Sequence, residues 1–461
     1  MTQNQVNKAL SEFEQKTPKS KQFFNKAKRF MPGGVTANIK YYAPYPVVMK
    51  KAKGSYLYDV DGNEYVDYLL SYGALILGHG HPEVAKAIHS QLGDLGTYLL
   101  GTPHELEVEM AQKIQRFYPS MESIRYTNSG TEATLLAIRT AYAFTGKHKI
   151  AKFEGHYHGG YDQLLFSINP AVQKAGPAQQ PIPVAESKGI DSYHQDHTII
   201  LPFNDIDATA DILRKNKEDL AAVIMEPIQG GFIPAEKKFI DELRKITKEL
   251  GVLLIFDEVK TGFRIGLGGA QEYYGIHPDL TALGKAIGGG FPIGILGGKA
   301  EIMKVSSPSA KADVFDGSQS SLSSADNVLF HSGTYNGHPT ILAAGLATVK
   351  VLEQELPQVV SMTTMLKEGI TELFINQGIG VHTIGLGTIF NVVISDMEKI
   401  KNYRDYQQSN FMMRKALDFY LLNEGVYTKP LNRYSLATAH TKKEIDRTLD
   451  AYDRVLAKMK K

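Results

Sequence analysis

Two apolar runs in the chain end on ionisable side chains. GVLLIFDE (Gly251 to Glu258) carries Asp257 at its close, and LTALG (Leu280 to Gly284) is followed at once by Lys285. Short runs this apolar read as strands of a parallel sheet buried on both faces. In open sheets of that kind ligands bind outside the carboxyl ends of the strands, so the carboxylate and the amine are expected in one crevice. An amine that can condense with an aldehyde, beside a carboxylate that can keep a ring nitrogen protonated, is what pyridoxal 5′-phosphate requires. A buried structural ion pair would look the same on these two residues alone.

The other needs of such a cofactor can be sought along the chain. A phosphate is held by backbone N–H groups at a helix start, and SIRYTNSGTEATLLAIRTAYAF (Ser123 to Phe144) offers a short strand, a Ser-Gly-Thr turn and an apolar-periodic helix. Ser129, Gly130 and Thr131 form the expected cradle, although Ser129-x-x-Glu132 is also an ordinary capping box. HKIAKFEGHYHGGYD (His148 to Asp162) is another short strand broken by Gly155, and it places Tyr157 between two histidines. That ring could stack on a pyridine face. His156 and His158 would face opposite ways in an extended chain, and no third ligand lies near in sequence, so no metal site is expected.

Further segments join these in a recognisable order: MEPIQGG (Met225 to Gly231), IFDEVKTGFR (Ile255 to Arg264), LGKAIGGGFPIG (Leu283 to Gly294) and HSGTYNGHP (His331 to Pro339). With NSGTEA (Asn128 to Ala133) and FEGHYHG (Phe153 to Gly159) they resemble the class III aminotransferases, within that class most of all the glutamate-1-semialdehyde 2,1-aminomutase group. MPGGV (Met31 to Val35), LILGHGHPEV (Leu75 to Val84) and AHTKKEIDRTL (Ala439 to Leu449) extend the likeness over nearly the whole chain. The resemblance implies the fold type I architecture of pyridoxal-phosphate-dependent transferases. It implies Lys285 as the Schiff-base lysine, Asp257 as partner of the ring nitrogen, and Val259 on the ring face opposite Tyr157. It also implies Thr334 on the phosphate of the neighbouring subunit, so that a homodimer would share its active sites. Without the family context Thr334 is a simple turn residue.

Alternating apolar strands and amphipathic helices from about Gly73 to about Tyr335 predict a large α/β domain with a mostly parallel, doubly wound sheet (73–335). Residues 1–72 hold a polar amphipathic helix and a hairpin turning at Asp61-Gly62, and are expected to join a smaller α+β domain formed by 336–461. The stretch Asn169 to Gly189, rich in Pro and Gln, reads equally as a mobile loop beside the site or as a plain surface insertion. A net charge of +2 with no long basic run makes no case for nucleic acid, and no apolar stretch approaches a membrane span. The absence of cysteine excludes disulfides, thiolate metal sites and a cysteine nucleophile. A cytoplasmic enzyme acting on small amines and keto acids is the simplest expectation.

Three departures bear on the reaction. The aminomutase pattern has an Arg shortly after the GGV turn for the substrate carboxylate, and this chain has Lys40, which lacks the bidentate fork. The family's SWG tripeptide is Ser71-Tyr72-Gly73, and its Gly- and Ser-rich loop is replaced by the Asn169 to Gly189 segment. These changes favour a transaminase taking an ω-amine or β-amino acid donor and a keto acid acceptor, with the aminomutase as the alternative. By resemblance to transaminases with a Glu and Arg switch, Glu226 and Arg433 are candidates for such a pair, though a structural Glu and a surface Arg read as well. A racemase on the same scaffold, or a regulator that keeps the fold without chemistry, would be a different class of protein. The regulator is disfavoured because both Lys285 and Asp257 are present.

Overall fold

The computed structural model describes residues 3–308 and 328–460. The chain forms two compact units, one of Glu83–Glu353 with Ile400–Asp405 and one of Met1–Pro82, Gln354–Lys399 and Tyr406–Lys461. They are called here the sheet unit and the terminal unit. Their boundaries fall at 82/83 and 353/354, compared with 72/73 and 335/336 in the reading of the sequence, and the six residues Ile400–Asp405 return to the sheet unit from the C-terminal part of the chain.

The sheet unit is built on seven strands, β1 (Ser123–Thr127), β2 (Lys149–Phe153), β3 (Thr198–Leu201), β4 (Leu220–Met225), β5 (Leu253–Asp257), β6 (Leu280–Gly284) and β7 (Gly294–Gly298). Their order is β1-β7-β6-β5-β4-β2-β3. All neighbours are parallel except β7, which runs antiparallel to both β6 and β1. Every residue of β4, β5, β6 and β7 is buried, which is why these segments carry continuous apolar runs instead of alternating ones. The carboxyl ends of β1, β2, β4, β5 and β6 share one edge of the sheet, because two antiparallel pairings through β7 restore the direction of β1.

The helix Gly130–Thr145 follows β1 directly. Ser129 caps it, its hydroxyl accepting Glu132 N–H at 3.1 Å while the Glu132 carboxylate accepts Asn128 N–H at 2.7 Å. Gly146 ends it in the left-handed conformation (φ 69°). Leu136, Ala137, Ile138 and Ala141 face the core with Ile150, Ile224, Ile255 and Leu296 of the strands.

The insertion Asn169 to Gly189 is pinned at several points. The Glu186 carboxylate accepts N–H groups of Ile168 (3.2 Å) and Asn169 (2.9 Å), Ser167 N–H donates to Val184 O (2.7 Å), and Tyr403 OH donates to Pro170 O (2.8 Å). Arg404 forks onto Glu154 at 2.8 and 2.9 Å and donates to Gly176 O at 2.9 Å. Of the two readings of this segment, a packed surface insertion describes the structure better than a free loop.

The terminal unit is α+β. The helices Gln3–Lys16, Phe411–Asn423 and Lys442–Lys460 pack with a four-stranded sheet, Met49–Lys53, Tyr56–Asp59, Glu64–Asp67 and Val426–Tyr427, around Phe13, Tyr65, Phe390, Phe419 and Tyr452. The Tyr56–Asp59 and Glu64–Asp67 strands form the expected hairpin, with Gly62 at φ 100° in its turn and Asp59 Oδ1 accepting the N–H groups of Asp61 and Asn63.

Just beyond this hairpin the backbone is strained. Leu70, Ser71 and Tyr72 all have positive φ (46°, 52° and 60°), followed by Gly73 at 87°. Left-handed conformation costs a non-glycine residue roughly 1–2 kcal/mol. The buried Asp67 carboxylate holds the turn, accepting Leu69 N–H (2.9 Å) and Leu70 N–H (3.0 Å) on one oxygen and contacting His79 Nε2 (2.8 Å) with the other. Asp67→Ala strands these groups and is expected to destabilise the terminal unit by about 2 kcal/mol. Urea denaturation of the apoprotein measures this, and a loss at the level of an ordinary surface substitution, below about 0.5 kcal/mol, contradicts it.

Candidate active site

Five strand ends and one helix start meet at the shared edge of the sheet. Asp257 ends β5, nearly buried, and its two oxygens have separate partners: Oδ1 accepts Val259 N–H at 3.0 Å and Oδ2 lies 2.8 Å from His158 Nδ1. A carboxylate can only accept, so Nδ1 carries the proton of that hydrogen bond. Burial pushes the His158 pKa below the usual histidine value, against the pull of Asp257, so the imidazole is a neutral donor that orients the carboxylate without neutralising it. The sequence analysis did not assign this role to His158.

Lys285 follows β6 through Gly284 and opens a short 3₁₀ turn, Lys285–Gly288. It is half-buried and its φ of 50° is left-handed, unusual for a residue with a side chain. Such strain persists where the surrounding structure dictates it, and it clusters at sites of chemistry. The register of β5 with β6 pairs Asp257 with Ala282, so both ionisable groups leave the sheet at the same edge.

Close packing among small residues shapes the space between them. A Cβ added to Gly130 would lie 2.5 Å from Val259 Cγ1, and one on Gly284 would lie 3.3 Å from the same methyl and 3.5 Å from Gly130 Cα. At Gly294, the first residue of β7, a Cβ would fall 2.0 Å from the Ser129 carbonyl oxygen. At Gly130 and Gly294 only glycine fits, and at Gly284 a side chain would be tight. The result brings the first turn of the helix Gly130–Thr145 against Val259 and the Lys285 turn, and first-turn N–H groups have no acceptor within their own helix.

Tyr157 belongs to the segment that packs against this helix start, where Gly159 approaches Thr131. The residue is 41% exposed, and its backbone N–H donates to Glu226 Oε2 at 3.0 Å. Glu226, buried at the end of β4, also accepts Gly230 N–H (3.3 Å) and pairs with Lys260. Burial works to raise the Glu226 carboxyl, but the Lys260 ammonium together with His156 and His158 outweighs it and lowers the pKa to about 2. Lys260, which the sequence analysis had not singled out, is a cation beside Glu226. Arg433 Nη2 donates to Tyr72 O at 3.4 Å. Arg433, Tyr72 and Lys40 all belong to the terminal unit. There Tyr72 OH donates to Ile39 O at 2.7 Å, beside the exposed Lys40, and Lys429 donates to the same carbonyl. Thr334, in the sheet unit, is exposed. Among the described residues no cluster of three or more His, Asp or Glu is arranged to hold a metal ion.

Residues 38–456 match the family model for aminotransferase class III. The chain belongs to that family. It is 41% identical over 450 residues to the glutamate-1-semialdehyde 2,1-aminomutase of Ignicoccus hospitalis, a match covering 95% of this chain and 99% of the relative. Among solved structures it resembles an ω-transaminase from Sphaerobacter thermophilus, with 33% identity, a TM-score of 0.87 and coverage of 96% and 98%. A β-phenylalanine aminotransferase from Variovorax paradoxus is 29% identical, with a TM-score of 0.83 and coverage of 99% and 98%.

The cofactor of this class III aminotransferase is pyridoxal 5′-phosphate, and the residues present fit it. The glycine-lined start of the helix Gly130–Thr145 suits the phosphate, Asp257 suits the ring nitrogen, and the exposed part of the Tyr157 ring and the Val259 methyls suit its faces. The Lys285 amine would suit its aldehyde. Borohydride reduction of the loaded protein followed by peptide mapping is expected to find the pyridoxyl label on Lys285, and Lys285→Ala is expected to bind the cofactor without a covalent link. A label on another lysine contradicts the assignment.

Proposed function

We propose that this class III enzyme acts as a glutamate-1-semialdehyde 2,1-aminomutase, moving an amino group within one substrate to give 5-aminolevulinate. The observation that carries this reading is the likeness to the Ignicoccus aminomutase, which extends at 41% identity over almost the full length of both chains. It displaces the preference for an intermolecular transaminase drawn from Lys40, Tyr72 and the Asn169 to Gly189 segment.

Bound pyridoxal phosphate supplies an aldehyde that condenses with amines and a ring that withdraws electrons from the adjoining carbon. The chain's own residues do the rest. Lys285, once displaced by substrate amine, moves a proton from the carbon that bears the amino group. Asp257, oriented by His158, presents its ionised carboxylate to the ring nitrogen and keeps that nitrogen protonated. Gly130 and Thr131 bind the phosphate through backbone N–H groups, Ser129 caps their helix, and Thr334 of the neighbouring subunit completes the cradle in a homodimer. Lys40, Tyr72 and Arg433 are the residues proposed to face the substrate.

A second reading is favoured by one specific observation. Lys40 is a point charge where the aminomutase resemblance calls for a planar Arg fork, and a substrate carboxylate would be held less firmly by it. Arg433 offers a guanidinium beside Tyr72, which suits a carboxylate presented differently, as in a β-amino acid. On that reading the enzyme passes the amino group to an external keto acid.

One experiment separates the two. The purified enzyme is given glutamate-1-semialdehyde alone, or amine donors with pyruvate or 2-oxoglutarate, and 5-aminolevulinate is measured against alanine or glutamate. The aminomutase predicts 5-aminolevulinate with no dependence on added keto acid. Formation of alanine or glutamate with negligible 5-aminolevulinate overturns it in favour of the transaminase.

A further inference from the structure

The short segment that carries Tyr157 is held by side chains with no part in the chemistry described above. Three consecutive residues each meet a different anchor. Lys152 Nζ donates to His156 O (2.8 Å), Glu226 Oε2 accepts Tyr157 N–H (3.0 Å), and Thr134 Oγ1 donates to His158 O (2.5 Å). The Lys152 ammonium, fully buried in β2, also donates to Leu164 O (3.3 Å) and Phe166 O (2.5 Å), so its three hydrogens are all used on backbone carbonyls.

Of these anchors, Glu226 alone is an anion, and it is 2% exposed. A carboxylate that deep persists only with a partner. Lys260 provides one, and the same ammonium lies 5.5 Å from the centroid of the Tyr157 ring. One cation thus contacts both the carboxylate that holds the Tyr157 backbone and the ring itself. Lys260 also directly follows Val259, the residue packed against Gly130. The residue is therefore fixed at two points: at its backbone by Glu226 and at one ring face by Lys260.

We propose that the Lys260–Glu226 pair is a positioning device that sets the Tyr157 ring against the cofactor ring. The proposal rests on the reading of this edge of the sheet as the pyridoxal phosphate site, and it holds for either reaction. Lys260 acts twice, by keeping Glu226 ionised where it can hold the Tyr157 N–H, and by drawing the ring through a cation–π contact. Neither residue touches a reacting atom, so removing the pair changes how the cofactor is held before it changes any chemical step.

The test is the double variant E226Q/K260M. Gln keeps an acceptor for the Tyr157 N–H, Met replaces the lysine stem, and no charge is left buried alone. Equilibrium dialysis of the apoprotein against pyridoxal phosphate, with the absorbance spectrum of the bound cofactor, is expected to show at least a tenfold weaker dissociation constant and a shifted band, while K260R retains near wild-type values. Should the double variant not fold, K260Q keeps a hydrogen bond to Glu226 without a cation over the ring and is expected to show the same weakening. Wild-type affinity and spectrum in the folded variant, even with a lowered melting temperature, overturn the proposal, as does a K260R as weak as the variants without the cation. A wild-type protein that fails to bind pyridoxal phosphate at all overturns the site reading itself, so the two failures are distinguishable.

Discussion

The hydrogen bond between His158 and Asp257 ties the end of β5 to the segment after β2, a strand that is not its neighbour in the sheet, and orients the carboxylate proposed to serve the cofactor ring. Asp257 sits where β5 ends and is 4% exposed, so it needs partners for both oxygens. Val259 N–H and His158 supply them. Because the imidazole is driven towards its neutral form by burial, it orients the carboxylate and leaves the negative charge for the ring nitrogen. Beside that charge, glycine at Gly130, Gly284 and Gly294 lets the start of the helix Gly130–Thr145, Val259 and the Ser129 carbonyl pack closely at the sheet edge.

Much of this was legible before any coordinates. Continuous apolar runs announced the parallel strands, and the polar residues that broke them, Asp257 and Lys285, marked the edge where ligands bind. The Ser129 cap and the Asp61-Gly62 turn were readable for the same reason: each is a local rule written in adjacent residues. What escaped the reading is long-range. His158 and Asp257 lie 99 residues apart and Glu226 and Lys260 lie 34 apart, and no periodicity connects them. The two histidines of FEGHYHG read as an extended pair facing opposite ways, whereas in the irregular segment that follows Gly155 their rings lie 5.8 Å apart. The Pro- and Gln-rich composition of Asn169 to Gly189 suggested mobility, yet its anchors, Tyr403 and Arg404, come from more than 200 residues downstream.

On the proposed reading, the choice between intramolecular and intermolecular amino transfer rests on other residues than Asp257, Lys285 and the glycine cradle, which would serve both. Lys40, Tyr72 and Arg433 belong to the terminal unit, where the backbone at Leu70 to Tyr72 is held left-handed by Asp67. Strain of that kind is retained when a side chain must be presented in one orientation. The aminomutase likeness spans nearly the whole chain, and Lys40 is a single residue within the family match, so the two do not conflict on the fold or the cofactor.

The central claim is that Asp257, oriented by neutral His158, keeps the cofactor ring nitrogen protonated. Reconstituting the apoprotein with pyridoxal phosphate labelled with nitrogen-15 in the ring, and recording its chemical shift at neutral pH, tests this most directly. The account predicts the shift of a protonated pyridinium in the wild type and a move towards that of neutral pyridine in Asp257→Asn. A neutral pyridine shift in the wild-type protein would contradict it.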